Sequence, residues 1–70
     1  MDFKLRSEFI ELDNVLKALQ LVASGAEARQ HIQAGLVKVN GQAENRVRRK
    51  LRAGDCVEFG GYRISITAAD

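Results

Sequence analysis

The hydrophobic period of this chain changes at Gly35, and this change limits the possible folds more than any other feature. Before Gly35, apolar residues recur at intervals of three and four, which places them on one face of an α-helix. After it, apolar and polar residues alternate, as in a strand with one buried face. Helices followed by strands in a chain of 70 residues predict an α+β fold.

The first helical pattern is a stripe of apolar residues that would face a core. Its members are Leu12, Val15, Leu16, Leu19 and Val22. Asp13 or Asn14 can cap the start, because a short polar side chain accepts from a free first-turn N–H. The pattern predicts a helix of about nine residues.

The second helix has a start signal at Ser24 and Glu27. In a capping box, the Ser24 hydroxyl accepts from the Glu27 amide while the Glu27 carboxylate accepts from the Ser24 amide. Ala28 and Ile32 form the inner face, and Gly35 can take the left-handed conformation that ends a helix. About two residues around Ser24 then join the helices, which must pack at an angle.

A β-hairpin is predicted directly after the second helix. Val37 and Val39 would point inward, with Lys38 between them pointing to solvent. Asn40-Gly41 favours a two-residue type I′ turn, because both positions of that turn need positive φ. Residues 42–44 would then pair back against the first strand.

Two further strands are predicted towards the C-terminus, Cys56–Phe59 and Tyr62–Thr67, joined by the turn Gly60-Gly61. Between the two hairpins, residues 46–52 are predicted to form a turn or an irregular segment held by two apolar side chains. Four apolar residues leave open whether the N-terminus adds a strand: Phe3, Leu5, Phe9 and Ile10.

Length and composition exclude several classes of protein. We predict one domain over residues 1–70, since a chain this short buries only about 60% of its unfolded surface. Cys56 and His31 are each the only residue of their type, which leaves no disulfide framework and no Cys/His zinc site. Neither a glycine-rich phosphate loop nor a nucleophile with base and cleft is evident. We therefore expect no catalysis, no metal and no cofactor.

The chain is also predicted to be a cytoplasmic monomer without a membrane partner. Its longest apolar stretches fall far short of the roughly 18 residues that a membrane helix needs. Its first residues lack the apolar region of a signal peptide. A hydrophobic content of 46% favours a folded chain over a disordered basic tail.

Charge is distributed unevenly along the chain. Residues 29–52 have a net charge of +6, whereas residues 1–28 and 53–70 are each −2, which gives the overall +2. Five of the seven cations in residues 29–52 lie in one short segment, here named the cationic cluster: Arg46, Arg48, Arg49, Lys50 and Arg52. These groups repel one another unless salt or a polyanion neutralises them. The pattern therefore indicates a polyanionic partner.

The order of these motifs resembles the S4 RNA-binding domain. The resemblance covers residues 9–59 and is carried by a short helix, SGAEARQHIQAG, VKVNG and RRKLRAGDCVEF. The matching positions are Ala28-Arg29, Ile32, Gly35, Val37, Val39, Asn40, Gly41, Gly54-Asp55 and Val57. It implies an αL motif of two packed short helices followed by a small, mainly antiparallel sheet, as in short bacterial stand-alone members. One departure is Gly25, which stands where many relatives carry Arg or Lys.

The candidate RNA-binding residues form two groups. The cationic cluster would supply charge, and an orienting group of Arg29, Gln33, Lys38 and Asn40 would fix the position of the RNA. Arg29 and Gln33 lie one turn apart on the outer face of the second helix, where they can present a guanidinium fork and an amide. Lys38 would contact the RNA backbone. Asn40 is first a turn residue and only secondarily an RNA contact.

Simpler roles are expected for three other side chains. We expect His31 to be exposed and incidental rather than to stack on a base or gain charge near a phosphate. Cys56 is expected to be a small buried hydrophobe in its strand. Tyr62 is expected to pack on the sheet rather than to stack on a base.

The leading hypothesis is a non-catalytic protein that binds structured RNA by phosphate and shape contacts. Ribosomal or transfer RNA is the implied partner, and with it the ribosome or its assembly intermediates. Two alternatives remain open. The basic face could dock an acidic protein surface, or the two helices could bind duplex DNA through the polar residues Arg29, Gln30, His31 and Gln33.

Overall fold

The protein has two helices and seven strands within residues 1–69, the range that the computed structural model describes. The helices are α1 (Leu12–Ala18) and α2 (Gly25–Gln33). The strands are β1 (Asp2–Lys4), β2 (Ile10–Glu11), β3 (Lys38–Val39), β4 (Gln42–Ala43), β5 (Lys50–Leu51), β6 (Cys56–Phe59) and β7 (Tyr62–Thr67).

The strands form two sheets. The larger has the order β1-β7-β6-β3-β4, in which β1 is parallel to β7 and the other pairs are antiparallel. The smaller is the antiparallel pair β2-β5. The α+β class and the mainly antiparallel sheet are confirmed. The N-terminal residues contribute a strand to each sheet, which answers the question that the sequence left open.

The core lies between the two helices and the inner face of the larger sheet. Its fully buried side chains come from both helices and from the strands around them: Leu12, Val15, Leu16, Ala28, Ile32, Val37, Val39, Leu51, Val57 and Ile64. The alternation predicted after Gly35 is confirmed, since Val37 and Val39 are buried and Lys38 is exposed. Burial at about 25 cal/mol per Å² of apolar surface makes this core the main source of stability.

The start of α1 differs from the prediction. Asp13 and Asn14 lie inside the helix, and Glu11, at the N-cap position, makes no side-chain cap bond. The Asp13 carboxylate accepts from the adjacent Asn14 N–H at 2.9 Å. Two first-turn amides donate to backbone carbonyls instead, Leu12 N–H to Arg49 O at 2.9 Å and Asp13 N–H to Val47 O at 3.1 Å. A cap is unnecessary because a distant segment of backbone already accepts these bonds.

The end of α1 also differs from the prediction. The helix has 7 residues rather than about nine, and six residues separate Ala18 from the start of α2. Gln20 ends it with a φ of 59°, and the Leu21 N–H donates to Leu16 O at 3.0 Å, the arrangement of a Schellman motif. Val22 lies beyond the helix and is nevertheless buried.

The boundaries of α2 follow the sequence signals. The Glu27 N–H donates to Ser24 Oγ at 3.1 Å, as the capping box requires. The Glu27 carboxylate accepts from the Ala23 N–H at 3.2 Å, one residue before the predicted donor. Gly35, with a φ of 79°, ends the helix as predicted.

Both predicted hairpins are present. Val39 pairs with Gln42 around Asn40-Gly41, whose φ values of 54° and 85° are both positive, as a type I′ turn needs. The strands of the second hairpin have the predicted bounds, and Phe59 pairs with Tyr62 across Gly60-Gly61. The short turns fix the register of each hairpin.

Candidate nucleic-acid interface

The backbone of the cationic cluster is tied to the start of the chain. The prediction of a turn or irregular segment is wrong for Lys50 and Leu51, which form β5 and pair with Glu11 and Ile10 of β2. Leu51 is fully buried, and the carbonyls that accept from the first turn of α1 belong to the same segment. The cations therefore project from a backbone that is held on two sides.

Glu44 is the centre of the cluster. Its side chain is 9% exposed, and its two oxygens accept from Arg46 Nε at 3.0 Å, Arg46 Nη2 at 3.0 Å and Arg49 Nη1 at 2.9 Å. The backbone N–H of Arg46 donates to the same carboxylate at 3.1 Å. The hydrogen bonds from Arg46 outweigh the effect of burial and lower the pKa of Glu44 to about 2.

These ion pairs hold two guanidinium groups and leave part of each side chain exposed. The Arg46 side chain remains 70% exposed and that of Arg49 28% exposed. A guanidinium has more N–H donors than the bonds to Glu44 use, so both can still donate to a phosphate. A carboxylate that fixes an Arg reduces the side-chain entropy that binding would otherwise cost.

Arg48 is held less firmly. Its Nε lies 3.3 Å from Glu11 Oε2, and its side chain is 78% exposed. A solvent-exposed pair of this kind contributes at most about 1 kcal/mol. Arg48 is therefore free to exchange its carboxylate partner for a phosphate at little cost.

Phe9 supports the other two cations. Lys50 Nζ lies 4.9 Å from the centroid of the Phe9 ring, and Arg52 Cζ lies 5.7 Å from it. Both distances are within the range of a cation–π interaction. The half-buried ring thus gives Lys50 and Arg52 a common support on the β2-β5 side.

Four of the five cations meet at one place on the surface. A shallow depression is lined by Arg46, Arg48, Arg49 and Lys50. The carboxylates of Glu11, Glu44 and Asp55 contact this segment, which lowers the net charge of the whole group to +2. The local field is therefore smaller than the five cations alone would give.

The orienting group is divided between different surfaces. Arg29 and Gln33 are exposed on the outer face of α2, as predicted. Lys38 lies in a second depression, together with Phe59 and Tyr62. The structure thus does not bring Lys38 into the depression of the cationic cluster.

Asn40 connects the first hairpin turn to the two residues that follow the turn Ala53-Gly54. Its Nδ2 donates to Asp55 Oδ1 at 3.0 Å, and its Oδ1 accepts from the Cys56 N–H at 2.9 Å. Asp55 also accepts from the Arg52 N–H at 2.8 Å. Burial acts to raise the pKa of Asp55, but the hydrogen bonds from Arg52 and Asn40 outweigh it and lower that pKa. Asn40 is a turn residue, as expected, whose side chain already has two partners.

Comparison with known proteins identifies the family. A family model described as the S4 domain matches residues 3–67. The chain belongs to the S4 domain family. The resemblance that the order of motifs indicated is confirmed.

Two curated relatives belong to bacteria. "Putative RNA-binding protein YbcJ" of Escherichia coli strain K12 is 41% identical over 59 residues, which cover 84% of each chain. "Uncharacterized protein YbcJ" of Shigella flexneri has the same identity and coverage. The solution structure of E. coli YbcJ matches with a TM-score of 0.72 and 38% identity, and covers 96% of this chain and 86% of that one. That structure is described as revealing an αL motif involved in RNA binding.

This S4 domain has a cation beside the start of α2 although residue 25, where the resemblance led us to expect Arg or Lys, is Gly. A Cβ at Gly25 would lie 3.8 Å from Lys17 Nζ. The Lys17 amine, from the last turn of α1, therefore lies over the first turn of α2. Positive charge is thus present at the start of α2 even though residue 25 has no side chain to supply it.

The three side chains that were given simpler roles differ from expectation. His31 is half-buried rather than exposed, because the end of α2 packs on β6 and brings its ring within 5.1 Å of the Phe59 ring. Cys56 is only half-buried, because it alternates with Val57, which occupies the core face. Tyr62 is 51% exposed rather than packed, and it is the residue of β7 nearest the Gly60-Gly61 turn.

Sequence reasoning missed the residues that hold the cations of this S4 domain. Glu44 had a signal, since it is the sole carboxylate in residues 29–52 and stands two positions before Arg46. Phe9 and Glu11 had none, because they meet the cluster only through the pairing of β2 with β5.

The described part of this S4 domain contains neither a metal-binding cluster nor a membrane-spanning helix. Within residues 1–69, no group of three or more His, Cys, Asp or Glu side chains is placed to hold a metal ion. Neither helix in that range has the length and apolar character to cross a membrane.

Proposed function

We propose that this S4 domain binds structured RNA, ribosomal or transfer RNA, through the cationic cluster and without catalysis. The observation that carries the proposal is the depression lined by Arg46, Arg48, Arg49 and Lys50. Its cations are held by Glu44, Glu11 and Phe9 on an anchored backbone. The description of E. coli YbcJ as having an αL motif involved in RNA binding supports RNA as the class of partner.

The recognition we propose relies on backbone geometry. A-form RNA hides most base edges in a deep, narrow groove, and its phosphates are the accessible feature. A rigid arrangement of guanidinium groups can match phosphate spacing, and each guanidinium can donate two parallel hydrogen bonds to one phosphate. Affinity would then depend on RNA shape and on salt concentration more than on sequence.

The residues of the orienting group would contribute to RNA binding to different extents. Arg29 and Gln33 are exposed on α2 and available to the RNA. Lys38 is exposed beside a different depression, so it would contact a part of the RNA outside the cluster. Asn40 would contribute only through the hydrogen-bonding capacity that remains on its side-chain amide, since Nδ2 already donates to Asp55 and Oδ1 already accepts from the Cys56 N–H.

We further propose that the protein acts as a cytoplasmic monomer and that its partner is the ribosome or one of its assembly intermediates. No cofactor, metal or membrane takes part. The ribosome is the natural candidate because it holds most of the structured RNA in a cell. Crosslinking in cells, followed by sequencing of the attached RNA, tests this proposal. Crosslinks confined to one ribosomal RNA region would support assembly or quality control, and crosslinks spread over many RNAs would contradict the assignment.

The sharpest test of binding is the charge reversal Arg48→Glu, with Arg6→Glu as the matched control. Arg48 is 78% exposed and Arg6 is also exposed, so neither change should unfold the protein. One phosphate contact contributes about five- to eightfold to affinity at about 0.1 M salt. We expect Arg48→Glu to weaken hairpin RNA binding by at least about fivefold, and Arg6→Glu to have a smaller effect. Equal affinities for the two variants would contradict the proposal.

A protein or duplex DNA partner would give different results. An RNA-dependent association is lost on nuclease treatment, whereas docking of the basic face on an acidic protein survives it. Tighter binding to duplex DNA than to folded RNA in parallel titrations would favour the two helices as the reading element.

A further inference from the structure

A second surface of the molecule has a composition that differs from the cationic cluster. It is a shallow depression at the turn end of the β6-β7 hairpin, here named the hairpin patch, formed mainly by Leu36, Lys38, Phe59, Tyr62 and Arg63. Leu36 is 57% and Tyr62 is 51% exposed. Large apolar side chains are seldom left exposed together unless they bind something.

The sheet geometry explains why Tyr62 is exposed. Tyr62 lies on the same face of β7 as the buried Ile64, but its partner Phe59 forms the last pair before the turn. The His31 ring of α2 packs on the Phe59 ring, with 5.1 Å between their centroids, whereas Tyr62 stays 51% exposed. A Cβ at Gly60 would lie 3.9 Å from Tyr62 Cδ2, so the Tyr62 ring lies against the turn.

Charged residues on the other face of the same strands flank this aromatic surface. Lys38 pairs with Glu58, and Glu58 pairs with Arg63, so the three lie in one row across β3, β6 and β7. The row has one net positive charge. Both cations of the row line the same depression as Tyr62, and their long side chains can reach anionic groups next to the aromatic ring.

We propose that the hairpin patch binds an unpaired nucleotide of the RNA, with its base stacked on Tyr62 and its flanking phosphates contacted by Lys38 and Arg63. The inference rests on the proposed function. Unpaired bases commonly stack on exposed aromatic side chains, and nearby cations neutralise the adjoining phosphates. An apolar protein segment would fit this patch less well, because two of its five main side chains are cations.

The patch and the cationic cluster are close enough to contact one RNA. Lys38 pairs with Ala43, and the next residue, Glu44, holds Arg46 and Arg49. The longest dimension of the molecule is 33 Å, about one turn of a nucleic-acid helix. The favoured ligand is therefore a stem, contacted by the cluster, next to a loop or bulge that places a base on Tyr62.

The chain offers a direct readout of this stacking, because Tyr62 is its one tyrosine and it has no tryptophan. With ¹³C-labelled tyrosine, the ring signals in an NMR spectrum belong to Tyr62 alone. The protein is titrated with a hairpin RNA that has an unpaired loop, and separately with a duplex of the same stem. We expect the ring signals to move upfield with the hairpin and to change little with the duplex.

Two variants connect the signal to affinity. Tyr62→Ala should weaken hairpin binding by about 5- to 150-fold, the effect of losing one stacked base, and should leave duplex binding nearly unchanged. Tyr62→Phe keeps the ring and should bind the hairpin like the wild type.

Each other outcome overturns the inference in a distinct way. Hairpin binding with unmoved Tyr62 signals would reject the stacking site and leave RNA binding by the cluster intact. Failure of both RNAs to bind would reject the proposed function itself. Ring signals that move with protein concentration in the absence of RNA would assign the patch to contact between copies of the chain.

Discussion

Replacing the buried carboxylate of Glu44 by an amide, Glu44→Gln, removes the charge that holds Arg46 and Arg49. The free energy at stake follows from the pKa of Glu44, which lies at about 2 instead of 4.5. At about 1.4 kcal/mol per pKa unit this corresponds to an upper limit of roughly 3 kcal/mol. The Arg46 side chain is 70% exposed, so solvent screens the pair and we expect about 1–2 kcal/mol.

The pH dependence has a definite sign. The pKa of Glu44 is lower in the folded protein than its usual value of 4.5. The stability that Glu44 contributes is therefore fully present above about pH 4.5 and is lost as the pH falls towards about 2. At about pH 7, Glu44→Gln should lower the melting temperature by about 5–15 °C, given about 4–8 °C per kcal/mol for a domain of this size. The difference between the variant and the wild type should shrink as the solution is acidified.

Thermal unfolding followed by circular dichroism at several pH values measures both effects. Glu8→Gln, at an exposed carboxylate, is the control and should change the melting temperature little. A Glu44→Gln variant as stable as wild type at about pH 7 would refute the reasoning. So would a difference that stays constant down to about pH 2.

Two other variants test the supports of the candidate interface. Asn40→Gly keeps the positive φ of the turn but removes the side-chain hydrogen bonds to Asp55 and Cys56. We expect urea unfolding to show a loss of about 1–2 kcal/mol in the free energy of unfolding. An unchanged urea midpoint would show that these two hydrogen bonds do not stabilise the fold. Phe9→Leu removes the ring beneath Lys50 and Arg52 but no charge. It should weaken RNA binding about two- to fivefold with an unchanged salt dependence, and a slope altered by a full unit would show that Phe9 acts in another way.

Local signals predicted those parts of the fold that local interactions determine. The start of α2 at Ser24, its end at Gly35 and the turn at Asn40-Gly41 each depend on residues within four positions of one another. Such elements can be identified from sequence because the residue types themselves impose the conformation.

The limits of α1 could not be predicted, because they depend on distant or unusual backbone. Its first amides donate to carbonyls of Val47 and Arg49, more than thirty residues away. Its end depends on Gln20, a residue type that gives no signal for positive φ. The apolar stripe was correctly assigned to the core, although Val22 reaches the core from outside the helix.

The candidate interface was likewise predictable from sequence only where its residues are close together along the chain. The charge run predicted where the cations would lie, since residues 46–52 are close in sequence and remain close in space. The charge run did not predict that Glu44, Glu11 and Phe9 organise them, because two of these three supports come from the other end of the chain. Counting cations therefore overestimated the field that a ligand meets.

The salt dependence of affinity for a structured RNA tests the central claim, that the cationic cluster binds phosphates, most directly. The wild-type slope of log affinity against log salt should lie between roughly −1.5 and −4.5. The shallower limit corresponds to the net charge of the cluster with its three carboxylates, and the steeper limit to its five cations alone. Arg48→Ala should make the slope less negative by about 0.7–0.9, whereas Arg6→Ala should leave it unchanged. A wild-type slope near zero, or a slope that Arg48→Ala does not change, would contradict the account.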